Sequence, residues 1–192
     1  MTSTQDVARP MPIGSIVVAD HQTAGRGRLD RRWEAPPGTA LLASFVLRPN
    51  PVLSLAAGVA AAQACGDGVR LKWPNDLLLA GSKVGGILVE VTPTTAICGI
   101  GINLTWAPPG AAKLNLDRDL LLDRLRDELD RWTSTELEQV LTFWRALSDT
   151  LGRRVRVDLG ERVIEGIAED IGPGGELIVG GTPVMFGSVT HL

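Results

Sequence analysis

The spacing of apolar residues changes period twice along this chain, and each change restricts what the segment can fold into. Up to Pro108-Pro109-Gly110, apart from one alanine-rich run, the apolar residues come in short β-branched or glycine-punctuated runs, the pattern of strands. From Leu120 to about Leu151, leucines recur at helical spacing with charges between them, as in LLLDRLRDELDRW and LEQVLTFWRAL. After Gly152 the segments RRVRVDL, RVIEGIAEDI, GELIVG and PVMFGSVTHL alternate and are separated by glycine-rich turns, which predicts a small antiparallel barrel of four or five strands. The expectation is an α+β chain, with a mixed sheet and helices in residues 1–150 and a compact β-barrel in residues 151–192.

Within the first region, GSIVVAD (14–20) reads as a buried strand and TALLASFVLRP (39–49) as a second, stopped by Pro49-Asn50-Pro51. The alanine-rich LSLAAGVAAAQAC (53–65) predicts a helix with Ser54 as its N-cap and Gly66 beyond its end. Three further strands are expected at VRLKW, KVGGILVEV and TAICGIGINL, the first two parted by a turn around Ala80-Gly81-Ser82. Thr133-Ser134-Thr135 divides the leucine-rich stretch into two helices, with Ser134 or Thr135 able to cap the second; Trp132, Phe143 and Trp144 are expected to face the core.

A length of 192 residues with 44% hydrophobic and 21% charged residues is that of one globular domain, or one with a small appendage. The net charge of −3 argues against a nucleic-acid-binding protein, so any affinity for anions must be local. Cys65 and Cys98 sit in apolar settings and read as buried free thiols of a reducing compartment rather than a disulfide. No apolar run reaches the ~20 residues of a membrane span and no signal-peptide pattern opens the chain, which predicts a cytoplasmic protein with no membrane partner.

Three stretches carry chemistry. In HQTAGRGRLDRRW (21–33) the guanidinium groups of Arg26 and Arg28 flank Gly27 on a glycine-softened loop, either a receptor for phosphate and carboxylate oxygens or a solvated surface loop. It is neither a Walker A loop nor a dinucleotide-binding turn. In LKWPNDLLLAGSKVGGILVE (71–90), Asn75 and Asp76 form either a simple turn or a site where Asn75 orients phosphate and Asp76 coordinates Mg²⁺. Lys83 then opens an apolar strand, where an ammonium must reach water or meet an anion. In an arginine-rich chain the three lysines, Lys72, Lys83 and Lys113, each invite a specific explanation. In GIGINL (99–104), Gly99 and Gly101 allow either tight packing or close approach to a ligand, with Asn103 at the strand end.

These stretches, in this order, resemble the biotin–protein ligases. That family carries a GRGR loop, a KWPND segment, a lysine opening a KxxGILVE strand, and a GxGxN strand, and all four are present. Thr2-Ser3-Thr4-Gln5 is similar to the family's STN segment, and the C-terminal region resembles its SH3-like barrel. The resemblance implies a class II synthetase-like catalytic domain that uses ATP and Mg²⁺ to convert biotin to biotinyl-5′-adenylate. It then implies transfer of biotin to a lysine of a biotin carboxyl carrier domain. Ser3, Thr4, Gln5 and Gln22 are then expected around the biotin head group, and Arg26, Gly27 and Arg28 over its chain, its carboxylate and the phosphates. Lys83 and Arg26 are the expected catalytic residues, with Lys83 between the biotin carboxylate and the α-phosphate. Trp33 is expected against adenine, with Asn75, Asp76 and Asn103 on the ATP and metal side and Gly85, Gly86, Gly99 and Gly101 giving the ligands access.

The chain departs from the family pattern at Gln5, where asparagine is common, and at Leu29-Asp30, where a residue–glycine pair is usual. It begins almost at the STN-like segment, which family members usually precede with a strand and a helix. By resemblance it is a single-function ligase without a DNA-binding domain, acting as a monomer or homodimer. The alternatives are a lipoate- or octanoyl-transferring relative, a catalytically silent biotin-binding protein, and a nucleic-acid-binding module.

Overall fold

Two runs marked as strands by their β-branched and glycine content, Ala40–Leu47 (β2) and Ala96–Asn103 (β6), pair antiparallel inside a six-stranded sheet. The computed structural model describes residues 1–29 and 31–192; Asp30, noted above as a departure, lies outside the described residues. The remaining strands of the sheet are Ile16–Ala19 (β1), Val69–Lys72 (β3), Asp76–Leu79 (β4) and Ser82–Val91 (β5), in the order β1-β2-β6-β5-β4-β3. Each ladder between these strands is antiparallel, and a parallel bridge from Leu71 to Ser148 covers the β3 edge.

One face of the sheet carries Leu41, Leu77, Ile100 and Ile102, all buried, and packs on the helix Leu53–Cys65 (α2). That helix is apolar nearly all round because the helices Arg118–Thr133 (α3) and Leu137–Leu147 (α4) cover its other side. Trp132 and Trp144 are buried there and Phe143 packs against them, as their helical spacing predicts. The opposite face meets a short N-terminal helix, Thr4–Ala8 (α1), and the arginine loop.

The C-terminal region forms a second antiparallel sheet from Arg154–Asp158 (β7), Val163–Ile171 (β8), Leu177–Val179 (β9), Thr182–Val184 (β10) and Ser188–His191 (β11). A register shift between Ala168 and Asp170 bends β8, so that it pairs β7 along one half and β9 along the other. Its inner residues Val155, Val157, Ala168, Leu177 and Val189 belong to the same apolar cluster as the main core. The two parts are also tied by polar contacts: Arg145 donates to Asp170 (2.6 and 3.1 Å) and to the Ile171 carbonyl, and the Trp73 indole donates to the Gly175 carbonyl at 3.0 Å. Among the described residues no helix is long and apolar enough to cross a membrane.

Several local expectations are corrected. No strand was expected between VRLKW and the turn around Ala80-Gly81-Ser82, yet Asp76–Leu79 pairs with both β3 and β5. Strand β1 is one-sided, with Val17 and Ala19 buried and Ile16 exposed. Ser54 does not cap α2: Val52 occupies the N-cap, and Asn50 Oδ1 accepts its N–H. Ser134 ends α3 and Thr135 donates back to the Arg131 carbonyl, leaving Glu136 at the start of α4.

Candidate functional site

The strand register builds the site floor. Opposed residues run across the sheet in one row, Leu42 to Gly101 to Gly86 to Asp76 to Lys72, and beside it Ser44 to Gly99 to Leu88. Side chains alternate between faces along a strand, so these rows share the face away from α2. The two central strands therefore present glycines where larger residues would fill the space, and a cleft of about 190 Å³ lies above them.

At one end α1 delivers three buried polar residues, Ser3, Thr4 and Gln5. Gln22 Oε1 accepts from the Thr4 backbone N–H (2.7 Å) and from its hydroxyl (3.1 Å), and the buried Ser44 hydroxyl donates to Thr4 Oγ1 at 2.7 Å. Gln5 donates to the Leu88 carbonyl at 3.2 Å and lies against Gly99, where a Cβ would come within 3.0 Å of its amide carbon. Ser3 Oγ and Gln5 Oε1 are buried in the wall of the cleft and have no hydrogen-bond partner among the described residues. Buried polar atoms left unpaired cost free energy, so such a pair marks where a polar ligand would bind.

The arginine loop is a tight hairpin rather than a loose strap. Trp33 N–H donates to the Gly25 carbonyl and Gly27 N–H to that of Arg31, closing it on both sides of the Arg26–Arg32 bridge. Gly25 is required there, because a Cβ would lie 2.3 Å from the Trp33 carbonyl oxygen. The hairpin lays the Trp33 indole on the glycine floor, where a Cβ on Gly101 would come within 2.6 Å of the ring. Trp33 Nε1 is the third buried polar atom of the cleft without a partner among the described residues.

Charge gathers at the other end. Lys83 Nζ is 2.6 Å from Asp76 Oδ1 and 5.8 Å from the Trp33 ring centroid. Arg28 donates to Asn75 Oδ1 at 3.2 Å, and the Asn75 amide in turn donates to the Ile87 carbonyl at 2.7 Å. Partial burial lowers the Arg28 pKa, Asp76 opposes that shift, and Arg31 adds to it. Lys72, opposite Asp76 in the ladder, also lines the cleft. Among the described residues one carboxylate thus faces three cations, an excess suited to receiving anions.

The cleft brings together Ser3, Thr4, Gln5, Gln22, Arg26, Gly27, Arg28, Trp33, Asn75, Asp76, Lys83, Gly86, Gly99 and Gly101. Two expected residues do not line it. Gly85 points to the core side, where a Cβ would meet Leu77 and the Gly101 carbonyl at 2.9 Å, and Asn103 uses its amide to hold the Ala112 carbonyl at 3.0 Å. Arg26 lines the cleft, yet its guanidinium pairs with Asp6 (2.8 Å) and Glu90 (3.3 Å). Lys72, Trp73 and the β11 residues Ser188 and Val189 are additional lining residues. Arg31 donates to Ser188 Oγ at 3.1 Å, a contact 157 residues apart that no local pattern announces. Among the described residues no group of three or more His, Cys, Asp or Glu could hold a metal ion.

Residues 2–104 match the sequence profile of the biotin/lipoate A/B protein ligase family. The chain is 38% identical to the biotin–[acetyl-CoA-carboxylase] ligase of Mycobacterium tuberculosis, over 93% of this chain and 79% of that protein. It is 34% identical to the Escherichia coli bifunctional ligase/repressor over 86% of its own length, and spans 61% of that protein. The fold superposes on the Aquifex aeolicus biotin protein ligase in complex with biotin and ATP with a TM-score of 0.84 at 27% identity, covering 100% of this chain and 95% of that one.

Proposed function

The chain belongs to the biotin/lipoate A/B protein ligase family, and from that premise we propose that it is a biotin–protein ligase, joining biotin and ATP into biotinyl-5′-adenylate and then passing biotin to a lysine of a biotin carboxyl carrier domain. The relatives' names point to a carboxylase, of which acetyl-CoA carboxylase is the instance, as the carrier's owner. The observation that carries the proposal is the polarity of one cleft. Unpaired Ser3 Oγ and Gln5 Oε1 wait at its α1 end, and Arg28, Lys72 and Lys83 crowd its far end. A ligand with a neutral polar head, an apolar middle and a carboxylate suits that order.

In this proposal the Ser3–Thr4–Gln5 segment and Gln22 hold the ureido head, and the glycine floor with Trp33 takes the apolar body and the adenine. Lys83 turns from Asp76 toward the biotin carboxylate and the α-phosphate, offsetting the charge that builds as they join. Arg26 and Arg28 close over the phosphates, with Asn75 orienting Arg28; Arg26 must first leave Asp6 and Glu90. Holding two anions within bonding distance is the main catalytic task, and covering the adenylate from water is the second. Among the described residues lining the cleft Asp76 is the one carboxylate that would help hold Mg²⁺, a cation that keeps several of its waters, and the ion would neutralise phosphate charge there. We take residues 1–150 as the catalytic unit and 151–192 as a barrel that completes the cleft, in a cytoplasmic enzyme acting as a monomer or homodimer.

The proposal is tested by incubating the protein with biotin and MgATP and following pyrophosphate release and adenylate formation. Biotin-dependent adenylate supports it; turnover with lipoate or octanoate instead of biotin overturns it.

A further inference from the structure

Trp73 lies just beyond β3, where its backbone N–H has no ladder partner; it donates instead to the Thr150 hydroxyl at 3.0 Å, inside the fold. Thr150 is wholly buried, and its Oγ1 is 3.3 Å from Nε2 of His191 on β11. Thr150 Oγ1 accepts from Trp73 and still has its own proton to place, so we assign His191 Nε2 as the acceptor of that proton, with the ring N–H on Nδ1. That nitrogen faces Asp149 Oδ2 at 3.7 Å, and Asp149 is anchored by its N–H to the Leu71 carbonyl (2.7 Å) and by an ion pair with Arg153 (2.8 Å). The chain of contacts runs from the C-terminal sheet to the end of β3, whose Lys72 and Trp73 line the cleft and whose Lys72 stands opposite Asp76.

Resting on the ligase function proposed above, we propose that Thr150 and His191 are positioning residues that hold the Lys72–Trp73 end of β3 in place, and that protonation of His191 loosens this hold. A protonated ring turns Nε2 into a donor and leaves the Thr150 proton without its acceptor. The groups facing the ring are Lys72 from β3, Arg153 and Asp149 from the segment before β7, and Thr150. Burial first, then Lys72 and Arg153, lower the His191 pKa from 6.5, and Asp149 opposes them. The neutral ring therefore holds the contact at neutral pH, and the hold weakens as pH falls through a midpoint below the ordinary histidine value.

The test is a pH titration of the full chain by amide NMR, with Trp73 N–H and the His191 ring as reporters. In the parent protein the Trp73 amide shift follows the His191 midpoint. In His191→Gln and Thr150→Val it does not, while Thr150→Ser, which keeps the hydroxyl, restores the coupling. In biotin-dependent ATP–pyrophosphate exchange the KM for ATP rises several-fold through the same midpoint in the parent and not in His191→Gln. A Trp73 amide blind to His191, or an acid limb unchanged in His191→Gln, overturns the positioning role. The amide titration needs no turnover, so a protein that makes no adenylate overturns the ligase function and leaves this coupling to be decided by the spectra.

Discussion

Lys83 Nζ and Asp76 Oδ1 stand 2.6 Å apart on neighbouring strands at the rim of the glycine-floored cleft. With side-chain exposures of 41% and 24% the pair is solvent-screened, and such pairs contribute ~0–1 kcal/mol to stability. Its ammonium is thus better explained by an incoming anion than by the fold. We predict that Lys83→Ala lowers adenylate formation by about 10²–10³-fold, the usual loss for a preorganised charge-stabilising group. Its unfolding temperature should remain close to the parent's. Turnover at the parent rate would remove Lys83 from the chemistry.

A methyl group added to Gly101 would lie 2.6 Å from the Trp33 ring, and the backbone row beneath cannot retreat. Gly101→Ala should therefore lift Trp33 from the floor at a cost of about 1–3 kcal/mol, the range for overpacking. Tryptophan fluorescence should shift and affinity for ATP should fall. Gly14→Ala, where the added Cβ meets nothing but φ is +93°, should cost stability without changing ATP affinity.

Arg145 forks onto Asp170 and also reaches the Ile171 carbonyl, holding α4 to the C-terminal sheet. Half of the Asp170 side chain is exposed, so after screening we expect Arg145→Ala to cost about 1 kcal/mol in chemical denaturation at neutral pH. The Arg145 hydrogen bond lowers the Asp170 pKa below 3.8. The unfolded chain then binds the proton more readily, so this stabilisation is present above pH 3.8 and lost as pH falls below it. The difference between parent and variant should narrow in acid to what the Ile171 carbonyl bond contributes; a constant difference down to pH 2 would contradict the assignment.

How much of this was legible in the sequence depends on how local each cause is. The leucine-spaced helices and the alternating C-terminal strands announce themselves by period, and the cleft's chemistry by short motifs. Strand β4 was hidden because Asp76–Leu79 is four residues between two turns and shows no alternation. Helix α1 was hidden because two of its three buried residues, Thr4 and Gln5, are polar and find partners in Gln22 and the Leu88 carbonyl, 18 and 83 residues away. The same distance problem concealed the bond from Arg31 to Ser188. Asn103 carried the right motif but spends its amide on the Ala112 loop, which only the folded chain shows.

Cys65 and Cys98 are buried and unpaired, and burial pushes each thiol up to about 12. Little thiolate exists at neutral pH, so both should resist thiol-reactive probes in the native protein and react fully after denaturation. Labelling of either cysteine at the rate of a free thiol would contradict this packing.

In the proposed reaction this cleft makes an activated biotin and hands it to a protein lysine. The most direct measurement is the mass of an apo biotin carboxyl carrier domain after incubation with this protein, biotin and MgATP. We predict a gain of one biotin that requires all three components and disappears when the acceptor lysine is replaced. An unchanged carrier mass, under conditions in which the Escherichia coli ligase modifies the same domain, would contradict it.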